Sequence, residues 1–169
     1  MATPAAHLIT ALRRETAIVK HLATKIPAGQ LDYRPTPAQR STLELLRYIT
    51  TIAITSSRYC LVGNWDHAKE YGAKAAGLHL ADIAGAMDRQ LAEVEAVLAK
   101  LSASDLERQV ALPWGGAGTL GDVLLEMPVG FMTAYRMQLF LYAKASGASQ
   151  IGTMDLWAGK DTPAKAAAH

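Results

Sequence analysis

Apolar residues recur at three- and four-residue steps through most of this chain, the period of a helix buried along one face. The first run covers residues 4–25, where Leu8, Leu12, Val19, Leu22 and Ile26 share a face that also carries Glu15. Pro27 and Gly29 stop it. Residues 31–40 hold Pro35 and Pro37 and read as an ordered loop. Ser41-Thr42-Leu43-Glu44 then has the spacing of a capping box, in which each side chain bonds the other's free backbone amide. The second helix runs from there to about Leu61. It is rich in Thr50, Thr51, Thr55, Ser56 and Ser57, mediocre helix formers that tertiary packing must hold. Some of these hydroxyls are expected at a polar cavity.

Residues 63–77 form a connection with Trp65 and room for one short helix. The third helix, residues 80–101, has the cleanest pattern: Ile83, Met87, Leu91, Val94, Leu98 and Leu101 make a narrow stripe bordered by charges. Residues 102–107 fit one helical turn. Residues 110–118, with Pro113-Trp114-Gly115-Gly116, fit a loop or short hairpin. Thr119 caps the fourth helix, with Asp122 in its first turn, where a carboxylate suits the helix dipole. Pro128 should bend that helix, because it removes a backbone donor and crowds the preceding turn. No segment alternates convincingly with period two. The expected fold is all-α, a four-helix bundle with a long crossover between its second and third helices. Residues 1–161 form the domain, and residues 162–169, rich in alanine, a frayed tail.

With 169 residues, one domain and one sizeable core are expected. The formal net charge of +2 comes from scattered lysines and arginines with no basic run, so a nucleic-acid partner is not expected. No apolar run approaches the roughly 18 residues a membrane span requires, so no membrane partner is expected either. The first residues show no basic segment followed by an apolar one, the mark of a secretory signal. Cys60 is the one cysteine and cannot form an internal disulfide. These features together point to a cytoplasmic protein.

Several segments agree in order and spacing with one family. They are Leu31-Asp-Tyr-Arg34-Pro35; Arg40-Ser41 followed by Glu44-Leu45; Leu112-Pro-Trp114-Gly115 followed by Thr119-Leu-Gly-Asp122; the run Arg136-Met137-Gln138-Leu139; and Leu139 to Gly147. In these the chain resembles the DinB-like superfamily of four-helix bundles, over most of its length to about Gly159. The resemblance implies a divalent-metal site of three histidines at one end of the bundle. It also implies thiol-dependent transferase or hydrolase activity in some members. The three matching positions here hold Tyr48, Phe131 and Tyr135. Phenylalanine has no lone pair to give, and a phenol with a pKa near 10 makes a metal compete with its proton. Zinc and nickel prefer imidazole or thiolate. The expectation is therefore a divergent member with no metal and no cofactor.

Three readings of the former site stay open. The rings pack together and plug it; or a small polar cavity binds a small molecule without metal, walled by Tyr48, Phe131, Tyr135, Gln138, Glu15 and Thr51; or a displaced metal site exists, with His67 and His79 able to approach each other. His7 and His21 lie too far apart on the first helix to share a metal. Glu15, a carboxylate on an apolar face, needs a partner, and Arg136, Arg58, Tyr48 or Tyr135 are the candidates. It is either a structural ion pair or an acid/base group. Cys60 reads as a small buried hydrophobe rather than a nucleophile. The leading functional expectation is a non-catalytic or small-ligand-binding bundle that forms a homodimer. The alternative is a thiol-dependent transferase- or hydrolase-like enzyme with a displaced or absent metal, or one using Glu15, Tyr48 and Tyr135 as acid/base groups. No residue is assigned as catalytic.

Overall fold

A computed structural model describes residues 4–163. Helix α1 covers Pro4–Ala23, and its apolar face, from Leu8 through Leu12 and Val19 to Leu22, is buried as the periodicity predicts. The loop that follows is ordered by backbone bonds to the next helix: Thr42 and Leu43 donate to the carbonyls of Tyr33 and Leu31. Helix α2, Thr42–Val62, begins with the predicted capping box. The Ser41 hydroxyl accepts from the Glu44 amide, and the Glu44 carboxylate accepts from the Ser41 amide. The Glu44 carboxylate is exposed, and the hydrogen bond from the Ser41 amide is the largest of the causes that lower its pKa.

The crossover contains one helix, α3 (Ala68–Ala76), as the connection allowed. The third long helix is shorter than its pattern. Residues 80–82 form a 3-10 turn, and α4 proper covers Ile83–Leu98. The single turn α5 (Ala103–Leu106) is held by a Ser102–Asp105 capping box. A two-stranded antiparallel hairpin follows, β1 (Gln109–Ala111) and β2 (Ala117–Thr119), in register Gln109↔Thr119. Strands of three residues are too short to show an alternation in sequence. Gly115 and Gly116 turn the chain, with φ of 100° and 84°, a region that side-chain-bearing residues rarely enter.

Thr119 caps α6 (Leu120–Leu124) by accepting from the Asp122 amide. The predicted disturbance at Pro128 is a π turn, Leu125–Val129, that joins α6 to α7 (Gly130–Ala145). A wider turn accommodates a residue without an N–H. A short helix, α8 (Thr153–Ala158), closes the described chain. Its terminal Gly159 has φ 60°, and a Cβ there would stand 3.3 Å from the Ile18 Cα, so the close approach of α8 to α1 requires glycine.

The long helices pack in a ring: α1 and α2 each touch both α4 and α7. The tail expected from residue 162 falls, beyond Pro163, outside the described residues. Thr162 itself is tied down, its amide donating to Asp155. No helix among the described residues is long and apolar enough to cross a membrane.

The middle of α2 has no solvent face. Every residue from Ile49 to Ser57 is buried. Its hydroxyls bond back to preceding carbonyls: Thr50 to Arg47, Thr51 to Tyr48, Thr55 to Thr51 and Ser56 to Ile52. Gln90 of α4, 4% exposed, reaches into the same stretch. Its side-chain oxygen accepts from the Ala53 amide at 2.9 Å, and its nitrogen donates to the Ile49 carbonyl at 3.0 Å. One glutamine amide thus spans the donor and acceptor of a single α-helical turn and ties α4 to α2. Gln90 lies inside the apolar stripe of α4, between Met87 and Val94. Its polarity inside that stripe is the one signal of this role in the sequence. Gln90→Ala should cost about 2–4 kcal/mol, from a cavity plus lost polar partners. Gln90→Leu, which keeps the volume, should cost less, about 1–3 kcal/mol. Urea melts of both variants check this, and melts that match the parent would contradict the clamp.

Candidate functional site

The proposed site begins at the start of the buried stretch of α2, where Tyr48 faces α7. Its ring meets that of Tyr135 edge to face, with centroids 5.0 Å apart and planes at 81°. Such a contact favours the positive rim of one ring against the negative face of the other. Arg40 also stands over Tyr48, its guanidinium carbon 4.0 Å from the ring centroid. Burial, and then the neighbouring Tyr135 phenol, push the Tyr48 pKa up to about 12, with Arg40 opposing. Tyr48 is therefore a neutral phenol near pH 7. Phe131, one helical turn before Tyr135, meets Trp114 at 6.3 Å. The hairpin thus lays its indole over this end of α7.

Of the residues expected together, the structure joins Tyr48 to Tyr135 and brings Thr51 to the same turn, its hydroxyl donating to the Tyr48 carbonyl at 3.0 Å. Phe131 follows on the same helix. Gln138 does not join them: it donates to the Tyr142 phenol at 2.8 Å, and Tyr142 packs against Tyr33 of the loop. Glu15 belongs to a different centre. Its Oε2 lies 2.9 Å from the Arg136 Nε, and both side chains are 1% exposed. The Arg136 N–H does not point along that line, so neither Glu15 oxygen has a well-aligned hydrogen bond. Arg136 also donates to the Leu156 carbonyl and lies 4.8 Å beneath the Trp157 ring. Of the four candidate partners for Glu15, the structure selects Arg136, and the geometry is that of a structural ion pair. No contact links Glu15 to Tyr48 or Tyr135 among the described residues, so the three do not form an acid/base set.

Two cavities flank Tyr48 and Thr51. The outer one, about 290 Å³, is walled by Arg40, Glu44, Arg47 and Tyr48, and floored by Gly72, Ala75 and Ala76 of α3. The inner one, about 90 Å³, lies between α2, α3 and α4 and includes Thr50, Thr51, Tyr71, Arg89 and Gln90. They meet at Thr51 and Ala75. Gly72, Ala75 and Ala76, with no side chain longer than a methyl, leave the room of the outer cavity. A Gly/Ala face carries no apolar periodicity, so α3's part is not visible in the sequence. At the inner mouth, burial and then the Glu93 carboxylate, which accepts from the Tyr71 phenol at 2.5 Å, push the Tyr71 pKa to about 12.

The other candidates have structural partners. The His67 ring bonds the Thr55 carbonyl at 2.9 Å, and His79 is exposed at the 3-10 turn. Cys60 is 2% exposed, and burial pushes its thiol up to about 12, as an inert packed cysteine requires. Among the described residues, the side chains that gather as three possible metal ligands are His21, Asp155 and Asp161. Their polar atoms already have partners. His21 Nε2 donates to Asp155 at 2.8 Å, and Lys25 lies on Asp161 at 2.5 Å. The ammonium supplies the positive charge a metal would bring, so the cluster serves as a clasp between α1 and α8. Sequence separation of 134 residues hid it.

The chain matches the family model of the DinB superfamily over residues 11–128. Among solved structures it resembles a protein described as a member of the DinB family from Exiguobacterium sibiricum. That pair has a TM-score of 0.67 at 18% identity, covering 92% of this chain and 99% of the other. It also resembles a DinB-like protein from Bacillus subtilis, with a TM-score of 0.63 at 20% identity, covering 83% and 92%. No protein among those with curated functions matches it.

The clasp yields a pH prediction. Burial would raise the Asp155 pKa, but hydrogen bonds from Thr162, Gly152 and His21 together outweigh it and hold the carboxyl far below the usual range. A carboxylate with a depressed folded pKa contributes stability that is present above its unfolded value, about 3.9, and is lost as the pH falls through the folded value. Asp155→Asn should therefore cost about 2–4 kcal/mol near pH 7, from lost charge-assisted bonds at a 2% exposed site. In thermal melts the gap between parent and variant should close as the pH is lowered below about 4; a pH-independent gap would contradict the assignment. With the family model spanning well over half of the residues, and the bundle geometry agreeing, the chain belongs to the DinB superfamily.

Proposed function

We propose that this protein is a metal-free DinB-superfamily bundle that binds a small molecule in the cavity beside Tyr48. The observation that carries this reading is the chemistry at the three positions where the family resemblance places histidines. Tyr48 and Tyr135 pack edge to face, Phe131 lies beside Trp114 with tilted planes, and a guanidinium stands over the Tyr48 ring. Two of these side chains offer only phenols, of which Tyr48 holds its proton up to about pH 12, and the third offers no donor atom. The Arg40 charge at 4.0 Å would repel a dication. The donor set does not fit zinc or nickel, and the adjoining cavity of about 290 Å³ gives the reading its binding space. The acid/base alternative finds no support in the placement of Glu15.

Two experiments test this. Elemental analysis of the dialysed protein should find no stoichiometric transition metal; zinc or nickel near one equivalent per chain would overturn the reading. The triple variant Tyr48→His, Phe131→His, Tyr135→His should restore a donor set of three imidazoles, a known zinc arrangement. Smaller rings should lower stability without metal by about 1–3 kcal/mol. Zinc or nickel should then raise the melting temperature of the variant and leave the parent unmoved. A folded variant that ignores millimolar metal would place the former site elsewhere.

We further propose a homodimer, with a helix face as its seam. Met137 and Leu141, one turn apart on α7, are 37% and 55% exposed, and Met154 and Trp157 of α8 are 41% and 55% exposed. Large apolar side chains in such numbers on neighbouring elements are typical of interfaces. Light scattering at tens of micromolar should report about twice the 18.1 kDa chain mass. Met137→Glu with Leu141→Glu should return it to the monomer; a monomeric parent would end the idea.

A further inference from the structure

We infer that the cavity between α2 and α3 takes a small organic anion, a carboxylate or phosphate, gripped by Arg47 and Arg40. The inference rests on the reading above that this cavity binds a small molecule, and adds the ligand's charge and class.

Arg47 is half-buried in the cavity wall. Its Nε donates to the Leu78 carbonyl at 2.8 Å, a neutral acceptor. Among the described residues no carboxylate lies within ion-pair distance of Arg47 or of Arg40, while Arg13, Arg34 and Arg136 each have one. The carboxylate in the same wall, Glu44, is already engaged. It accepts from the Ser41 amide at 2.6 Å and pairs with Arg34 at 3.3 Å. The cavity rim is therefore net positive: two guanidiniums stand against one carboxylate, Glu44, which is ion-paired to Arg34 and also feels the Arg40 charge.

The geometry of Arg47 sets the ligand. With Nε committed to Leu78, the two terminal nitrogens remain as a planar fork, and such a fork matches the paired oxygens of a carboxylate or phosphate. The bond to Leu78 fixes the side chain in advance, which lowers the ordering entropy of binding. Arg40 stands over Tyr48, its guanidinium carbon 4.0 Å from the ring centroid, and its N–H groups can meet a second oxygen. Below the charges, Gly72, Ala75 and Ala76 offer an apolar floor for the body of the ligand. Thr51, whose hydroxyl hydrogen is used on the Tyr48 carbonyl, presents only an oxygen toward the cavity edge. A bare acceptor oxygen repels the anionic end, which is therefore held on the arginine side.

Calorimetric titration of the intact protein with benzoate, phenyl phosphate and neutral benzamide tests this. Benzoate or phenyl phosphate should bind, with benzamide weaker by about tenfold or more. The stronger of the two anions identifies the class. Arg47→Met should weaken anion binding by about tenfold or more, and Arg47→Lys, which keeps charge but loses the fork, by less. Arg40→Met should weaken it several-fold. It removes no hydrogen bond of the fold, so it remains informative if Arg47→Met unfolds. Arg108→Met, remote from the cavity, should change nothing. Benzamide binding as tightly as benzoate, or anion binding indifferent to both arginine variants, would overturn the anion assignment and leave the small-molecule reading standing. No binding of any of the three would overturn both.

Discussion

The bundle is organised by a helix whose middle has no access to water. From Ile49 to Ser57 every side chain of α2 is buried, yet the sequence there is half hydroxyl. Each buried polar group must find a partner inside the protein. The threonines and Ser56 do so on their own helix, and only the Ser57 hydroxyl is left without one. Gln90 ties this stretch to α4 and fixes the register of the two helices, and the His67 ring bonds the Thr55 carbonyl from the start of α3. Chemistry can then emerge only where the burial of α2 ends. Going towards the N-terminus, the first residues past that limit are Tyr48 and Arg47, and both line the outer cavity.

The charged residues that lie on apolar faces do a different job. Glu15 and Arg136 meet at 1% exposure under Trp157, and Arg136 holds the Leu156 carbonyl. One helical turn and a half along α1, His21 meets Asp155, whose second oxygen caps α8 through the Gly152 amide. Both contacts attach the same short helix to α1. A buried ion pair adds little net stability against an apolar alternative, but removing one partner is expensive, because it strands the other charge. Such pairs specify where α8 sits. The Arg-x-Gln stretch that carries the family resemblance is thus structural here: its arginine locks α8, and its glutamine holds the Tyr33–Tyr142 corner.

Local signals were legible in the sequence. The Ser41–Glu44 box, the Thr119 cap, the break at Pro128 and the apolar face of α1 each depend on a few adjacent residues, and each stands in the structure where its chemistry demands. The third helix was read too long because Leu80 continues its apolar spacing, although the chain there closes in a 3-10 turn. Long-range pairings were not legible. Glu15 offered four candidate partners, and helix phase alone does not choose among them. Nothing in Gly72, Ala75 and Ala76 announced a cavity floor, since room is made by side chains that are missing. Gln138 follows Tyr135 by three residues, but its amide turns towards Tyr142, one turn further along α7. Sequence proximity to a site is weaker than the nearest unsatisfied donor or acceptor.

On the proposed reading, phenols standing where the family resemblance places imidazoles also change the charge that this end of the bundle favours. Neutral imidazoles present lone pairs, and a cation completes them. Tyr48 at neutral pH instead presents a protonated phenol whose π face attracts positive charge, and Arg40 has taken that face at 4.0 Å. With the cation supplied by the chain itself, the remaining unmet demand is for negative charge. Arg47 stands at the same wall with the same demand. On the proposed reading, the rings that close the interior position therefore move binding outward to the flank between α2 and α3, and reverse its sign. The small face of α3 is what gives that reversed field a space in which to act.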